Sequence, residues 1–447
     1  MIAAVLMAVV AGSGLIHPEN LTKFQKKLSG LVSPRDSQTV VRVFQIGDSH
    51  LQAGFLGGRL RQNFQKKYGD AGRGFVFPHH VAGTNGAYDV RWQSNGQWAA
   101  SNSIRKLPAF AFGLAGWSIQ SLDSTSSLEM RLAPTEGIVD SFVTIRIFSD
   151  SGLVLGDSSG AWKATSCGMD CRKATASAPS NRLKLQATAP GQWLDGLVLE
   201  SGRKGVLWNE AGVNGLAWSD LLKPTRMWRQ LETLKPDLVV VSLGTNDAWY
   251  RGYEPETFHG NVLETLRRIR LVAPEAEVLL TLPPDHALTV KKKKTAPNPK
   301  LTSVLGILRG VCDTAGVTCS DLHLLMGGEG SWKAWTAQGL MAKDHVHYSK
   351  GGYIRQADLM SEELLEWMAR RGSDTLTVAR GVQEKTTGDD ARRFLAAQDE
   401  ALRTTTWAEA KKVEVKAPKA KAGKVGKKTS ARKSHKTTRN RHQRKRH

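Results

Sequence analysis

One apolar run that stops on a small polar turn and resumes as a four-residue period constrains this chain most. Residues 40–46 read as a buried strand, β-branched and apolar apart from Arg42 and Gln45. Gly47-Asp48-Ser49-His50 follows at once. Leu56, Leu60, Phe64 and Tyr68 then recur every four residues, one face of a helix that Gly69 closes. A buried strand turning sharply into a helix belongs to an open α/β sheet, where ligands bind at the carboxyl ends of the strands. Ser49 stands at that switch.

The alternation recurs downstream. Strands are expected at 205–208, 238–243, 278–282 and 317–320, and helices at 258–271, 301–311 and 353–368. This predicts a parallel sheet with helices on both faces. Between about 101 and 205 the texture differs: short alternating stretches such as 142–148 and 183–187 are separated by Gly, Ser, Asp and Pro. That pattern predicts an all-β, sandwich-like module inserted into the α/β body. Trp162 and Trp193 within it are candidates for a sugar platform, with core packing the favoured reading of each. Lys291–Lys294, flanked by prolines, reads as a solvated loop, and 373–407 as a helical linker.

The net charge of +22 is uneven. Residues 408–447 carry 16 Lys/Arg against two Glu, so +14 of it lies there and only +8 in the remaining chain. This tail has almost no branched apolar or aromatic residues and reads as disordered. It suits an anionic polymer, but without interleaved aromatics it gives no sign of specific nucleic-acid recognition. The four cysteines, Cys167/Cys171 and Cys312/Cys319, suit two local disulfides in an oxidising compartment, and their spacing fits no zinc site. Residues 2–10 are apolar and lead into Ala11-Gly12-Ser13-Gly14. This resembles a signal peptide over 1–20 without the usual positive start, so export to the periplasm or medium is expected. No stretch reaches transmembrane length.

Two further blocks answer Ser49. A strand leads into Gly244-Thr245-Asn246-Asp247, and Asp344-His345-Val346-His347 precedes the helix expected at 353–368. Ester cleavage by serine needs a hydroxyl, a base, a group that orients the base, and donors for the oxyanion. Ser49, His347, Asp344 and the Asn246 amide supply them, with the Ser49 N–H as a further donor at the start of a helix. Asp247 reads as a structural hydrogen-bonding residue. Alone, each block could be a cap or a turn; their joint occurrence favours the enzyme. Two decoys fail. Gly156-Asp157-Ser158-Ser159-Gly160 matches a nucleophile elbow but has no helical period after it. His79-His80 has no acidic companions for a metal. No cofactor or metal is expected.

These blocks resemble the SGNH (GDSL-type) hydrolase family, with His50 where many members have Leu. The resemblance covers 40–100 and 206–371. It implies a flavodoxin-like three-layer α/β/α body, metal-free ester hydrolysis, and a glycine completing the oxyanion hole, for which Gly215 is the better match and Gly212 the rival. The stretches Ser49-His50-Leu51-Gln52-Ala53-Gly54, Gly72-Arg73-Gly74 and Ala82-Gly83-Thr84-Asn85-Gly86 are similar to exported members that remove O-acetyl groups from peptidoglycan. The expected organisation is leader 1–20, hydrolase 21–100 and 206–372, β-insert 101–205, linker 373–407 and tail 408–447. The expected activity is a serine O-acetylesterase acting on a glycan, with Thr84, Asn85 and Trp249 as candidate substrate contacts. Acetyl transfer to a polysaccharide, lipid ester hydrolysis and a purely wall-binding role are the rivals.

Overall fold

The computed structural model describes residues 13–33, 39–135, 140–157, 160–289, 294–370, 387–409 and 412. Its centre is a six-stranded sheet of β1 (Leu15–Ile16), β2 (Val40–Gly47), β3 (Gly205–Gly212), β4 (Leu238–Ser242), β5 (Glu277–Thr281) and β6 (Thr318–Ser320), in the order β1-β6-β5-β4-β2-β3. All pairs are parallel except β1 with β6. Strand β2 lies between β3 and β4, so chain direction across the sheet reverses there. Such a reversal opens a crevice beyond the strand ends.

Period-two alternation covers both faces of this sheet. Val41, Val43, Val206, Trp208, Leu238, Val240 and Leu279 face one apolar cluster; Phe44, Ile46, Leu207, Val239, Val241, Val278 and Leu280 face the other. The first is closed by α1 (Thr22–Leu31), α3 (Phe55–Tyr68) and α7 (Lys350–Ala369), with the one-turn α2 (Ser49–Gln52) at its edge. The second is closed by α4 (Met227–Leu234), α5 (Pro255–Val272) and α6 (Pro299–Thr314). The two polar positions of β2 are accounted for. The buried Gln45 accepts from Trp208 Nε1 at 2.9 Å and donates to Ser242 Oγ at 3.1 Å, and the Arg42 N–H donates to Asp237 at 2.7 Å.

Two expectations change. Antiparallel strands begin well before residue 101. Gly74–Val76, Val90–Asn95 and Trp98–Asn102 join Trp117–Ser121, Phe142–Ser149, Trp193–Glu200 and others in a seven-stranded and a five-stranded sheet. These sheets share one apolar cluster with the central sheet, and the described residues up to 412 belong to a single compact unit. The β-part is therefore fused to the body through its core.

Second, residues assigned to the leader are built into the sheet: Leu15 pairs with Ser320, and the Gly14 N–H donates to Glu363 at 2.7 Å. The segment read as a helical linker contains α8 (Gly388–Thr404), which docks on the body through Arg229–Asp399 and Phe394 edge-on to Trp228. The two tryptophans, for which core packing was the favoured reading, are partly buried against neighbouring side chains. Trp193 lies under Arg226, with 3.8 Å from guanidinium to ring centre, and Trp162 packs beside Phe142.

The pairs Cys167–Cys171 and Cys312–Cys319 are disulfide-bonded. Residues 1–12, Lys291–Lys293 and nearly all of the basic tail lie outside the described residues, so the readings placed on them are not addressed by the fold. Among the described residues no helix is long and apolar enough to cross a membrane.

Candidate active site

Three adjacent strands end level with one another: Gly47 on β2 pairs with Gly212 on β3 and with Ser242 on β4. The turns after them deliver Ser49, Gly215 and Asn246 to one crevice. A fourth loop, between β6 and α7, brings Asp344 and His347 over it. The resulting cleft of about 750 Å³ is lined by Ser49, Gly215, Asn246, Trp249, Asp344 and His347, together with Phe55, Asn85, Asn214 and Tyr353 among others.

Ser49 Oγ lies 2.8 Å from His347 Nε2, and His347 Nδ1 lies 2.7 Å from Asp344 Oδ2. The other Asp344 oxygen accepts the N–H groups of Val346 and His347, each at 3.0 Å. Partial burial raises the Asp344 pKa, but the hydrogen bonds from His347 and these backbone donors outweigh it and hold the group below the ordinary carboxylate value. An ionised Asp344 favours the tautomer with its proton on Nδ1, leaving Nε2 to accept from Ser49. The loop is held in place by His345, which adopts a left-handed conformation at φ 59°. Its carbonyl accepts the Ala287 N–H at 2.9 Å and its ring stands edge-on to Trp332. Non-glycine residues in that region cost about 1 kcal/mol or more and persist where surrounding contacts over-determine them.

The other two turns bring Asn246 and Gly215 to the same cleft. Asn246 Nδ2 donates to the Leu216 carbonyl at 3.0 Å and to Asp48 Oδ2 at 3.3 Å. Gly215 is exposed to the cleft with φ 87°. Gly212 is buried within β3, where a Cβ would stand 2.3 Å from the Gln52 backbone nitrogen. Its lack of a side chain lets α2 lie against the strand end. The Ser49 turn is shorter than the sequence suggests. Gly54, at φ 75°, separates α2 from α3, so Ser49 opens a single turn rather than the long helix.

Burial sets the charge of the surrounding groups. It pushes the Asp48 carboxyl up to about 7 against the His50 N–H bond and the neighbouring His347. Burial, with His347 and His286 nearby, pushes His50 down to about 3, so its imidazole is neutral in the working pH range. Its ring centre lies 5.5 Å from that of His347, and its Nδ1 shares a 3.2 Å hydrogen bond with the Tyr353 hydroxyl. Asp247 accepts the Trp218 N–H at 3.2 Å, and burial raises it to about 7.

Of the expected substrate contacts, Asn85 and Trp249 line the cleft, Trp249 being 44% exposed. Thr84 does not; its hydroxyl accepts from Gln52 Nε2 at 2.8 Å behind the wall. Gln52, Asn214, Phe55 and Tyr353 were not singled out from sequence, although Gln52 sits in the stretch that carries the narrower resemblance.

The decoys stay apart. Asp157 ends a hairpin strand that pairs with Gly160–Ala161, so no helix follows; Ser158 itself lies outside the described residues. His79 is buried with its pKa lowered by burial to about 4, and His80 is exposed. Among the described residues no cluster of three His, Cys, Asp or Glu is placed to hold a metal.

Comparison with known proteins gives the same direction. Residues 154–355 match the model of the GDSL-like lipase/acylhydrolase family, a span that contains Gly215, Asn246, Asp344 and His347 but not Ser49. A solved structure titled "Peptidoglycan O-acetylesterase in action" is 26% identical, with a TM-score of 0.66, covering 80% of this chain and 99% of its own. A lipase/acylhydrolase from Enterococcus faecalis is 23% identical over 38% of this chain and 80% of its own, TM-score 0.28. The acetyl xylan esterase AlAXEase is 19% identical over 35% and 80%, TM-score 0.27. No curated protein matches the chain.

Proposed function

We propose that this chain, an SGNH hydrolase of the GDSL-like lipase/acylhydrolase family and an acyl esterase, removes O-acetyl groups from cell-wall peptidoglycan. One observation carries the substrate class. The likeness to the peptidoglycan O-acetylesterase extends over 99% of that protein, so it takes in the antiparallel sheets as well as the catalytic body.

In this reading Ser49 Oγ attacks the acetyl carbonyl while His347 Nε2 takes its proton, and Asp344 holds the imidazole and balances the imidazolium. Negative charge forms on the carbonyl oxygen, which the N–H groups of Ser49 and Gly215 and the Asn246 amide stabilise. The tetrahedral intermediate collapses. The C–O bond to the sugar breaks, His347 returns the proton to the leaving hydroxyl, and acetyl-Ser49 remains. Water, deprotonated by His347, then releases acetate. The half-exposed His347 and Asp344, at 41% and 52%, give water a route to the acyl-enzyme and favour hydrolysis over transfer.

Export is part of the proposal, supported by the two disulfides, which persist in oxidising compartments. The basic tail would hold the enzyme near an anionic envelope.

The test is acetate release from O-acetylated peptidoglycan by wild type and Ser49→Ala, with acetylated xylan alongside. Release from peptidoglycan that vanishes in the variant supports the reading. Release only from xylan discards the cell wall as substrate. No release from either, by a folded enzyme, discards glycan deacetylation.

A further inference from the structure

The buried side chain of Gln52 joins parts of the site that no motif connects. It lies on the same turn as Ser49, three residues on, and is 2% exposed. Its Oε1 accepts the backbone N–H of Asn214, the residue directly before Gly215. Its Nε2 donates to Thr84 Oγ1 at 2.8 Å and to the Asn85 carbonyl at 2.6 Å. The Asn214 amide closes the ring by donating to Asn85 Oδ1 at 2.8 Å and Thr84 Oγ1 at 3.3 Å. Three segments far apart in sequence thus meet on one amide: the nucleophile turn, the loop bearing Gly215, and the cleft wall at Asn85.

The Leu216 N–H closes the turn around Gly215 on the Val213 carbonyl at 3.0 Å, and Gln52 holds the same turn from the nucleophile side through the Asn214 N–H. Gly215 itself is exposed and in the left-handed region, in a turn anchored by the buried Val213 and Leu216 on either side. A donor to an oxyanion works only if it is aimed before charge develops, and a shift of about 1 Å at such a group costs about 10²-fold in rate. We infer that Gln52 is a positioning residue that fixes the Gly215 N–H relative to Ser49 and couples this alignment to the Asn85 wall of the cleft. The amide is the side chain this job requires. Its oxygen serves the loop and its nitrogen serves the wall, whereas a carboxylate would have no hydrogen for Thr84 and Asn85 and an apolar side chain would leave buried polar groups unpaired.

This inference rests on the serine-esterase reading, and the experiment separates the two. Wild type, Ser49→Ala, Gln52→Met and Gln52→Glu are assayed with 4-nitrophenyl acetate, which needs the esterase chemistry but no glycan. Inhibition by a trifluoromethyl ketone, which mimics the tetrahedral oxyanion, is measured in parallel.

Gln52→Met conserves volume. It is expected to lower kcat/KM by about 10- to 100-fold and to raise the ketone Ki of the folded enzyme by a similar factor, alongside the fall in melting temperature that the unpaired polar groups cause. Gln52→Glu keeps the oxygen for Asn214 and is expected to recover part of both losses. A merely structural role would move the melting temperature and the fraction of active enzyme, not the ketone Ki per active site. Unchanged kcat/KM and Ki in Gln52→Met would overturn the inference while leaving the esterase reading intact. A folded wild type no more active than Ser49→Ala would instead overturn that reading, and the inference with it.

Discussion

Replacing Asp344 by Asn tests the hydrogen-bond chain at the point where geometry leaves least freedom. One oxygen of Asp344 accepts two backbone N–H groups at 3.0 Å each, and the other faces His347 Nδ1 at 2.7 Å. In the variant the amide oxygen must stay with the two backbone donors, because an NH₂ there would oppose both. The NH₂ then faces Nδ1 and donates to it. The imidazole proton moves to Nε2, 2.8 Å from Ser49 Oγ, and the base can no longer accept the serine proton.

In a fully buried triad this tautomer error costs about 10⁴-fold in kcat. Here the Asp344 side chain is 52% exposed, so water competes for Nδ1 and softens the penalty. We expect a loss of about 10²–10³-fold in kcat for Asp344→Asn, and a smaller one for Asp344→Ala, which admits water at Nδ1 and imposes no tautomer. The assay is initial-rate hydrolysis of 4-nitrophenyl acetate between pH 6 and 9, with melting temperatures as the folding control. If Asp344→Asn stayed within about threefold of wild type, or proved no worse than Asp344→Ala, the tautomer argument would fail.

Three other outcomes follow from the same physics. Gly212→Ala would place a Cβ 2.3 Å from the Gln52 backbone nitrogen, so it should displace the nucleophile turn and lower both melting temperature and kcat/KM; a fully active, equally stable variant would show that the turn can move aside. Glu210 is buried beside Arg73, and burial raises its pKa to about 7. A raised acid contributes stability that is complete below the unfolded pKa near 4.5 and is lost as pH climbs through 7. Urea melts at pH 5 and pH 8 should therefore show a decline, on the order of 2–3 kcal/mol of it removed in Glu210→Gln; an identical decline in the variant would assign it elsewhere. Deleting residues 411–447 should weaken retention on isolated cell wall, more at low salt than at high salt, and retention equal to wild type in a pull-down would discard the anchor.

What was legible in the sequence had its chemistry written beside its secondary structure. The strand ending at Gly47 and the period from Leu56 to Tyr68 locate Ser49 at a strand end, and the same logic locates Asn246. Asp344 and His347 are separated by one turn, so local geometry alone joins them. The organisation at both borders of the body was less legible. Val90–Asn95 reads ambiguously because its alternation is short and ends at Gly96, yet in the fold it is a strand of the five-stranded sheet. Leu15–Ile16 gained its place from pairing with β6, some 300 residues later, and no local signal announces that.

The Gln52 network was illegible for a deeper reason. Its bond to Asn214 spans 162 residues and its bonds to the cleft wall span 32 and 33. None has meaning until β3 lies beside β2 with Gly212 opposite Gly47. A slip of one residue in that register would turn Gly212 away from α2 and present the next side chain to the Gln52 backbone. The motif residues would all remain in the chain, but the loop after β3 would deliver Gly215 to a different height above Ser49. The alignment of nucleophile and oxyanion donor is therefore a property of the β2–β3 pairing, and the buried apolar faces that enforce this pairing, Val206 and Trp208 on one side and Leu207 on the other, take part in the chemistry as much as the polar groups they carry.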